Sequence, residues 1–162
     1  MSIYIVEGPD GVGKSTLADE IAKQKGAHII HCSFKKSWDI KAYHSKIMQH
    51  AIALNKSDIS VVLDRWAPSE QVYGDVFRGG PKYGVITLIK HFKNEDMVWI
   101  YCKNKDAVKN HLENSKRRYE MFDSMEKVVL GFDTFVEETP SLNWDIYDFN
   151  KTTKEEFVEE LK

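Results

Sequence analysis

Ile3-Tyr4-Ile5-Val6-Glu7-Gly8-Pro9-Asp10-Gly11-Val12-Gly13-Lys14-Ser15-Thr16 decides how the rest of the chain is read. Ile3 to Val6 is a short apolar run rich in β-branched residues, which suits a strand buried on both faces. Gly8 to Ser15 then fits G-x-x-x-x-G-K-[ST] without a gap. Gly8, Gly11 and Gly13 let the backbone turn tightly and approach a phosphate with no Cβ in between. Successive N–H groups can point inward as an anion-binding nest, and a helix starting near Lys14 adds the positive end of its dipole. The ammonium of Lys14 belongs at the β- and γ-phosphates of a nucleoside triphosphate, and the Ser15 hydroxyl is a ligand for Mg²⁺. The nucleotide cradle therefore comprises Gly8, Asp10, Gly11, Val12, Gly13, Lys14, Ser15 and Thr16.

The remaining composition bounds the answer. A chain of 162 residues is long enough for one domain and short for two. Its 42% hydrophobic and 30% charged residues are those of a soluble globular protein. A formal net charge of -2 gives no global basic face for a polyanion and disfavours DNA as a partner. No apolar run approaches the ~20 residues that span a bilayer, so no membrane partner is expected. No signal peptide precedes the first strand, which points to the cytoplasm. Cys32 and Cys102 both fall in strand-like segments and read as buried free thiols.

Leu17, Ile21 and Ala22 continue the loop into an apolar helical stripe, stopped at Lys25-Gly26. The second strand is read over 27–32, with His28 and His31 as ordinary strand positions. Ser33 to Asp39 is a polar, basic and aromatic connection that fits an acceptor site or a plain surface loop equally well. A helix follows, with Ile40, Tyr43, Ile47, Met48, Ala51 and Leu54 on one face. The third strand, 60–64, ends in Asp64-Arg65-Trp66. A carboxylate at the carboxyl end of a buried strand is placed to serve Mg²⁺, and the neighbouring guanidinium suits bidentate phosphate binding.

Pro68 opens another helix, and Gly79-Gly80-Pro81 breaks it. Within it Tyr73, Phe77 and Arg78 offer aromatic faces and a cation to a base and its phosphate. Further helices are read over Tyr83 to Phe92, from Asp106, and after a capping-box spacing at Asp123 to Glu126. Strands are read over 97–102 and 145–149, and Thr152 with Glu155 is the expected cap of the last helix. Lys116-Arg117-Arg118 fits a lid near 114–123 that brings cations onto a transferring phosphoryl group. Asn150, in the turn after the fifth strand, lies on the loop's edge of the sheet and is a candidate contact for adenine. Five strands alternating with helices predict right-handed βαβ units: an α/β, three-layer P-loop NTPase fold with a five-stranded parallel sheet covered on both faces.

Four pieces together resemble the thymidylate kinase-like P-loop nucleotide kinases. Glu7 to Thr16 is similar to that family's EGxDGxGKST loop. Asp64-Arg65-Trp66 resembles its DR-aromatic step, Ser69 with Tyr73-Gly74 its serine and alanine-tyrosine-glutamine run, and Lys116 to Tyr119 with Phe122-Asp123 its arginine lid. The resemblance spans essentially the whole chain, 1–162, and implies one kinase domain. It implies ATP and Mg²⁺ as cofactors and phosphoryl transfer to a deoxynucleoside monophosphate, most simply dTMP-like. It also implies roles: Lys14 and Ser15 on donor phosphates and metal, Asp10 on the acceptor sugar, Arg65 on the acceptor phosphate, and Asp64 on metal or acceptor. Arg78 would approach the acceptor phosphate or base, with Tyr73 beside it, and Arg117 or Arg118 would supply the catalytic cation. Relatives are often homodimers, although no spacing here demands it.

Two departures stand out. Cys32 to Lys36 replaces the family's arginine-glutamate-proline-glycine-glycine stretch, and Gly74 replaces its glutamine. Both look closer to small bacteriophage kinases, some of which act on monophosphates and others on a modified base in DNA. The alternative acceptor is therefore a nucleoside or a hydroxymethylated base. A GTP-dependent switch is disfavoured, because Asp64 has no glycine three residues on and Asn150-Lys151 is followed by Thr152-Thr153 rather than an aspartate.

Overall fold

The computed structural model describes residues 1–35, 37–114 and 122–161. Five strands, β1 (Ile3–Glu7), β2 (His28–His31), β3 (Val61–Asp64), β4 (Met97–Lys103) and β5 (Asp145–Asp148), form one sheet in the order β2-β3-β1-β4-β5. Every pairing is parallel. Chain order runs outward from β1 in both directions, so the crevice at its carboxyl end is the switch point where ligands of such sheets bind. Register aligns that edge: Asp64 of β3 lies opposite Val6 on one side and His31 on the other.

Side-chain alternation along β1 separates two cores. Ile3 and Ile5 face one, with Leu63, Trp66, Trp99 and Tyr101, and it is covered by α2 (Ile40–Asn55), α3 (Ala67–Arg78), α4 (Val85–His91) and α6 (Phe122–Glu138). Tyr4 and Val6 face the other, with Val62, Ile100 and Tyr147, under α1 (Lys14–Lys25) and α7 (Lys154–Glu160). α5 (Ala107–Asn114) adds Ala107 to this second face. Each fully buried aliphatic side chain stabilises the layers by ~1.5–3 kcal/mol, and β1 is buried along its whole length. The arrangement is the three-layer α/β fold expected from the strand spacing.

The boundaries differ in informative places. α7 is capped by Thr153, not Thr152, and Glu156 returns the bond to the Thr153 backbone as a full capping box. The box therefore lies one residue later than the Thr152/Glu155 spacing suggested. α6 already runs from Phe122, so Asp123 lies inside that helix rather than ahead of it. α4 starts at Val85, later than Tyr83, and β5 stops at Asp148, leaving Phe149 in the turn. A 3₁₀ turn at Pro140–Leu142, unexpected from the sequence, joins α6 to β5.

One glycine acts by leaving space. A Cβ on Gly74 would lie 2.7 Å from Pro81 Cα and 2.8 Å from the Gly80 carbonyl oxygen. The turn that ends α3 at Gly79 folds back against the helix at that point, and the Gly80 N–H donates to the Gly74 carbonyl at 3.0 Å.

Candidate active site

β1 delivers the loop to the carboxyl edge of the sheet, and backbone geometry there demands glycine. Gly8 has φ 146°, and a Cβ on it would lie 2.7 Å from the Cys102 carbonyl oxygen of the neighbouring strand. Gly11 and Gly13 sit at φ 81° and 87°, in the left-handed region. Val12 points back into the core and anchors the loop between them. Lys14 is buried at the start of α1, where its Nζ donates to the Pro9 carbonyl at 2.6 Å. Burial, and then the charge of Arg65, bring its pKa down to about 8. Ser15 Oγ donates to Asp64 Oδ2 at 2.9 Å, and His31 Nδ1 lies 3.0 Å from the same oxygen. These groups surround a cavity of about 300 Å³ lined by Asp10, Gly11, Gly13, Lys14, Ser15, Thr16, His31, Cys32, Asp64 and Arg65.

Arg65 stands where β3 turns into α3, at φ 70°, a conformation that costs a non-glycine residue of order 1 kcal/mol or more. Glu7 holds this turn. It is fully buried, and its two carboxylate oxygens accept the Trp66 N–H at 2.7 Å and the Ser69 hydroxyl at 2.6 Å. Burial lifts its pKa to about 7, against the opposing pull of Ser69 and Arg65. The Arg65 guanidinium is thereby aimed back across the loop. Nη1 donates to the Gly8 carbonyl at 3.2 Å and to Ser69 Oγ at 3.0 Å, and Nη2 donates to Asp10 and to the Tyr73 hydroxyl. Its Cζ lies 5.1 Å from the Tyr73 ring centroid. Burial works against the Arg65 charge, but Tyr73, Asp10 and Glu7 outweigh it and raise its pKa.

A second cavity of about 510 Å³ opens on the other side of Arg65. Phe34, Tyr73 and Phe77 give it aromatic walls, and His44, Glu70 and Arg78 give it polar groups. Arg78 pairs with Glu70 at 2.7 Å, and its Cζ lies 4.5 Å from the Phe34 ring centroid. Asp10, Cys32 and Arg65 line both cavities, so the two adjoin.

Of the residues singled out in the sequence, Gly8, Asp10, Gly11, Gly13, Lys14, Ser15, Thr16, Asp64, Arg65, Tyr73 and Arg78 gather along this one edge. Asn150 lies further out, its Nδ2 donating to Asn104 Oδ1 at 3.3 Å. Its neighbour Phe149 is nearer the loop, with a ring carbon 3.6 Å from where a Gly13 Cβ would stand. Arg117, Arg118 and most of the proposed lid lie outside the described residues. Glu7, His31, His44 and Glu70 were not picked out as site residues. A charged residue closing an apolar strand was the available signal for Glu7. The others became visible only when β2, α2 and α3 were placed together.

The Ser15 hydroxyl and the Asp64 carboxylate are the hard oxygen donors that Mg²⁺ takes when phosphates and waters complete its shell. No group of three or more His, Cys, Asp or Glu gathers as a metal site among the described residues. None of their helices is long and apolar enough to cross a membrane.

No family model matches the chain, and no curated protein matches it in sequence. Solved structures do. The YorR protein from Bacillus subtilis, in complex with phosphorylated GDP, aligns with a TM-score of 0.70 at 20% identity, over 98% of this chain and 92% of that one. A deoxyadenosine kinase from M. mycoides aligns in its dCTP-bound structure with a TM-score of 0.58 at 17% identity, over 98% and 95%. With dATP bound, the same kinase gives 0.56 at 18%, over 98% and 96%. At these identities the likeness is one of fold, and it places the chain's parallel sheet and surrounding helices with the α/β architecture of P-loop kinases.

Proposed function

We propose that the protein transfers the γ-phosphoryl group of Mg·ATP to a deoxynucleoside monophosphate, giving the diphosphate and ADP. One observation carries the reading: a small polar cavity built on the phosphate loop adjoins a larger aromatic one, with Arg65 in the wall between them. The smaller cavity suits donor phosphates, and the larger suits a nucleoside whose own phosphate reaches Arg65.

The transfer asks for positioning and charge neutralisation more than for covalent help. Lys14 would give up its bond to the Pro9 carbonyl and take the β- and γ-phosphates, while the loop N–H groups hold the remaining oxygens. Arg65 would present its fork to the acceptor phosphate, aligning one acceptor oxygen with the γ-phosphorus. That oxygen forms the new P–O bond as the bond to the ADP oxygen breaks, and ADP leaves with the electron pair. Asp10 would accept the acceptor sugar hydroxyl. Mg²⁺, held by Ser15 and Asp64, would neutralise charge on the donor phosphates. Arg117 or Arg118 would add a further cation.

A second reading keeps the donor and changes the acceptor to a hydroxyl group. It is favoured by the likeness to a deoxyadenosine kinase, whose named substrate is a nucleoside. ADP release with Mg·ATP, measured across deoxynucleoside monophosphates, nucleosides and DNA with hydroxymethylated bases, separates the two. Turnover with a monophosphate supports the first. Turnover confined to nucleosides or modified DNA overturns the role of Arg65. Silence across the panel overturns both.

A further inference from the structure

Glu70 projects from α3 and is only 4% exposed. Its Oε1 accepts the Lys82 backbone N–H at 2.8 Å and Arg78 Nη2 at 2.7 Å. Its Oε2 has no hydrogen bond among the described residues. That oxygen is not among the atoms sealed inside the protein, so it opens into the larger cavity, which Glu70 lines. A carboxylate oxygen at such depth is satisfied only by a donor.

His44 lies beside it, close enough for the Glu70 charge to act on the ring. Burial brings the His44 pKa down to about 4, so the imidazole is neutral at physiological pH. Tyr83 Oη lies 2.6 Å from His44 Nδ1. Burial raises the Tyr83 pKa, and its hydroxyl proton has no other acceptor among the described residues. Tyr83 therefore donates to Nδ1, which leaves the ring proton on Nε2. Nε2 has no partner among the described residues and also opens into the cavity. On the other side, Arg78 keeps N–H groups beyond the one given to Glu70.

The polar face of the cavity thus presents one acceptor between two donors. We propose that Arg78, Glu70 and His44 read the acceptor base, and that this base carries an imide edge of carbonyl, N–H and carbonyl, as in thymine and uracil. The inference rests on the larger cavity being the acceptor site. Arg78 and His44 donate to the two carbonyls, and Glu70 Oε2 accepts the ring N3–H. Cytosine would set its unprotonated N3 against the Glu70 carboxylate. Guanine would bring its 2-amino group against the His44 N–H. Selectivity then comes from repulsion and unpaired groups as much as from the matched bonds. Phe34, Tyr73 and Phe77 supply the stacking surface, which any base can use.

The test is a calorimetric titration of the full chain with dTMP, dUMP, N3-methyl-dTMP, dCMP and dGMP, with ADP release measured separately for each. We expect dTMP and dUMP to bind at least ~10-fold more tightly than the other three. Equal binding of N3-methyl-dTMP, a preference for dCMP or dGMP, or no binding at all overturns the inference. Selective binding without ADP release supports the base reading and defeats the kinase reading, so the two fail separately. Glu70→Gln, checked for folding by circular dichroism, should bring dTMP and dCMP within about threefold of each other. Unchanged discrimination in that variant overturns the inference. If the variant does not fold, the N3-methyl comparison decides on the wild-type chain.

Discussion

The two cavities are built in opposite ways. The smaller takes most of its wall from one unbroken stretch, Asp10 to Thr16, plus the ends of β2 and β3. The larger draws on residues 10 to 78, carried by the loop, the β2–α2 connection, α2 and α3. The first is a local motif in which backbone N–H groups and glycine geometry do the binding. The second exists only once the sheet order has brought α2 and α3 to one side. A phosphate site therefore tolerates change in the fold around it, whereas an acceptor site of this kind changes with every packed element.

Substitutions separate the two. The largest effect should come from Lys14→Ala, which removes the one loop ammonium. Turnover should fall by on the order of 10³-fold while circular dichroism stays native. Wild-type activity in that variant would sink the donor assignment. Arg65→Ala comes next, and its effect should fall on one side of the wall. The KM of the acceptor should rise about 100-fold, with ATP affinity within about threefold. If only ATP affinity moved, the seam would belong to the donor site.

Glu7→Gln probes the support beneath both cavities. The Glu7 pKa is raised in the fold to about 7 from its ordinary 4.5. Its contribution to stability is therefore fully present below pH 4.5 and is lost as pH rises through 7. The full span is worth at most about 3 kcal/mol. Unfolding free energy followed by urea denaturation should show this downward slope in the wild type and a flatter line in Glu7→Gln. Parallel curves would mean that Glu7 does not titrate in this window.

Gly74→Ala should cost ~1–3 kcal/mol through crowding at Pro81, and it should disturb acceptor binding more than ATP binding. Equal loss on both sides would make it a general packing defect. Smallest of all, Phe149→Ala should weaken ATP about threefold and leave the acceptor KM unchanged, because only the donor side borders Gly13.

The sequence made the sheet and the phosphate loop legible for a physical reason. A strand buried on both faces leaves a continuous apolar run, and a phosphate nest leaves its glycines at fixed spacing. Asp64 and Arg65 were readable because they end such a run. His44 and Glu70 were not. His44 lay among apolar helix residues, and Glu70 looked like any acid near a helix start. Only the depth of their burial and the partners reached across α2, α3 and Tyr83 distinguish them. His31 was read as an ordinary strand position, yet β3 pairing sets it against Asp64. The cap of α7 slipped by one residue because Thr152 and Thr153 offer the same hydroxyl, and backbone geometry chose between them.

The bare Cα of residue 74 also bears on how this chain can drift over generations. The returning turn at Gly80 and Pro81 leads directly to Lys82 and Tyr83, whose bonds hold Glu70 and orient His44. A larger residue at 74 would push that turn outward and release both. A lineage that carries glutamine there must route the following segment elsewhere. Positions 74, 80 and 81 are thus free to change only as a set, and the absence of one side chain has tied the choice of acceptor to the path of the backbone seven residues later.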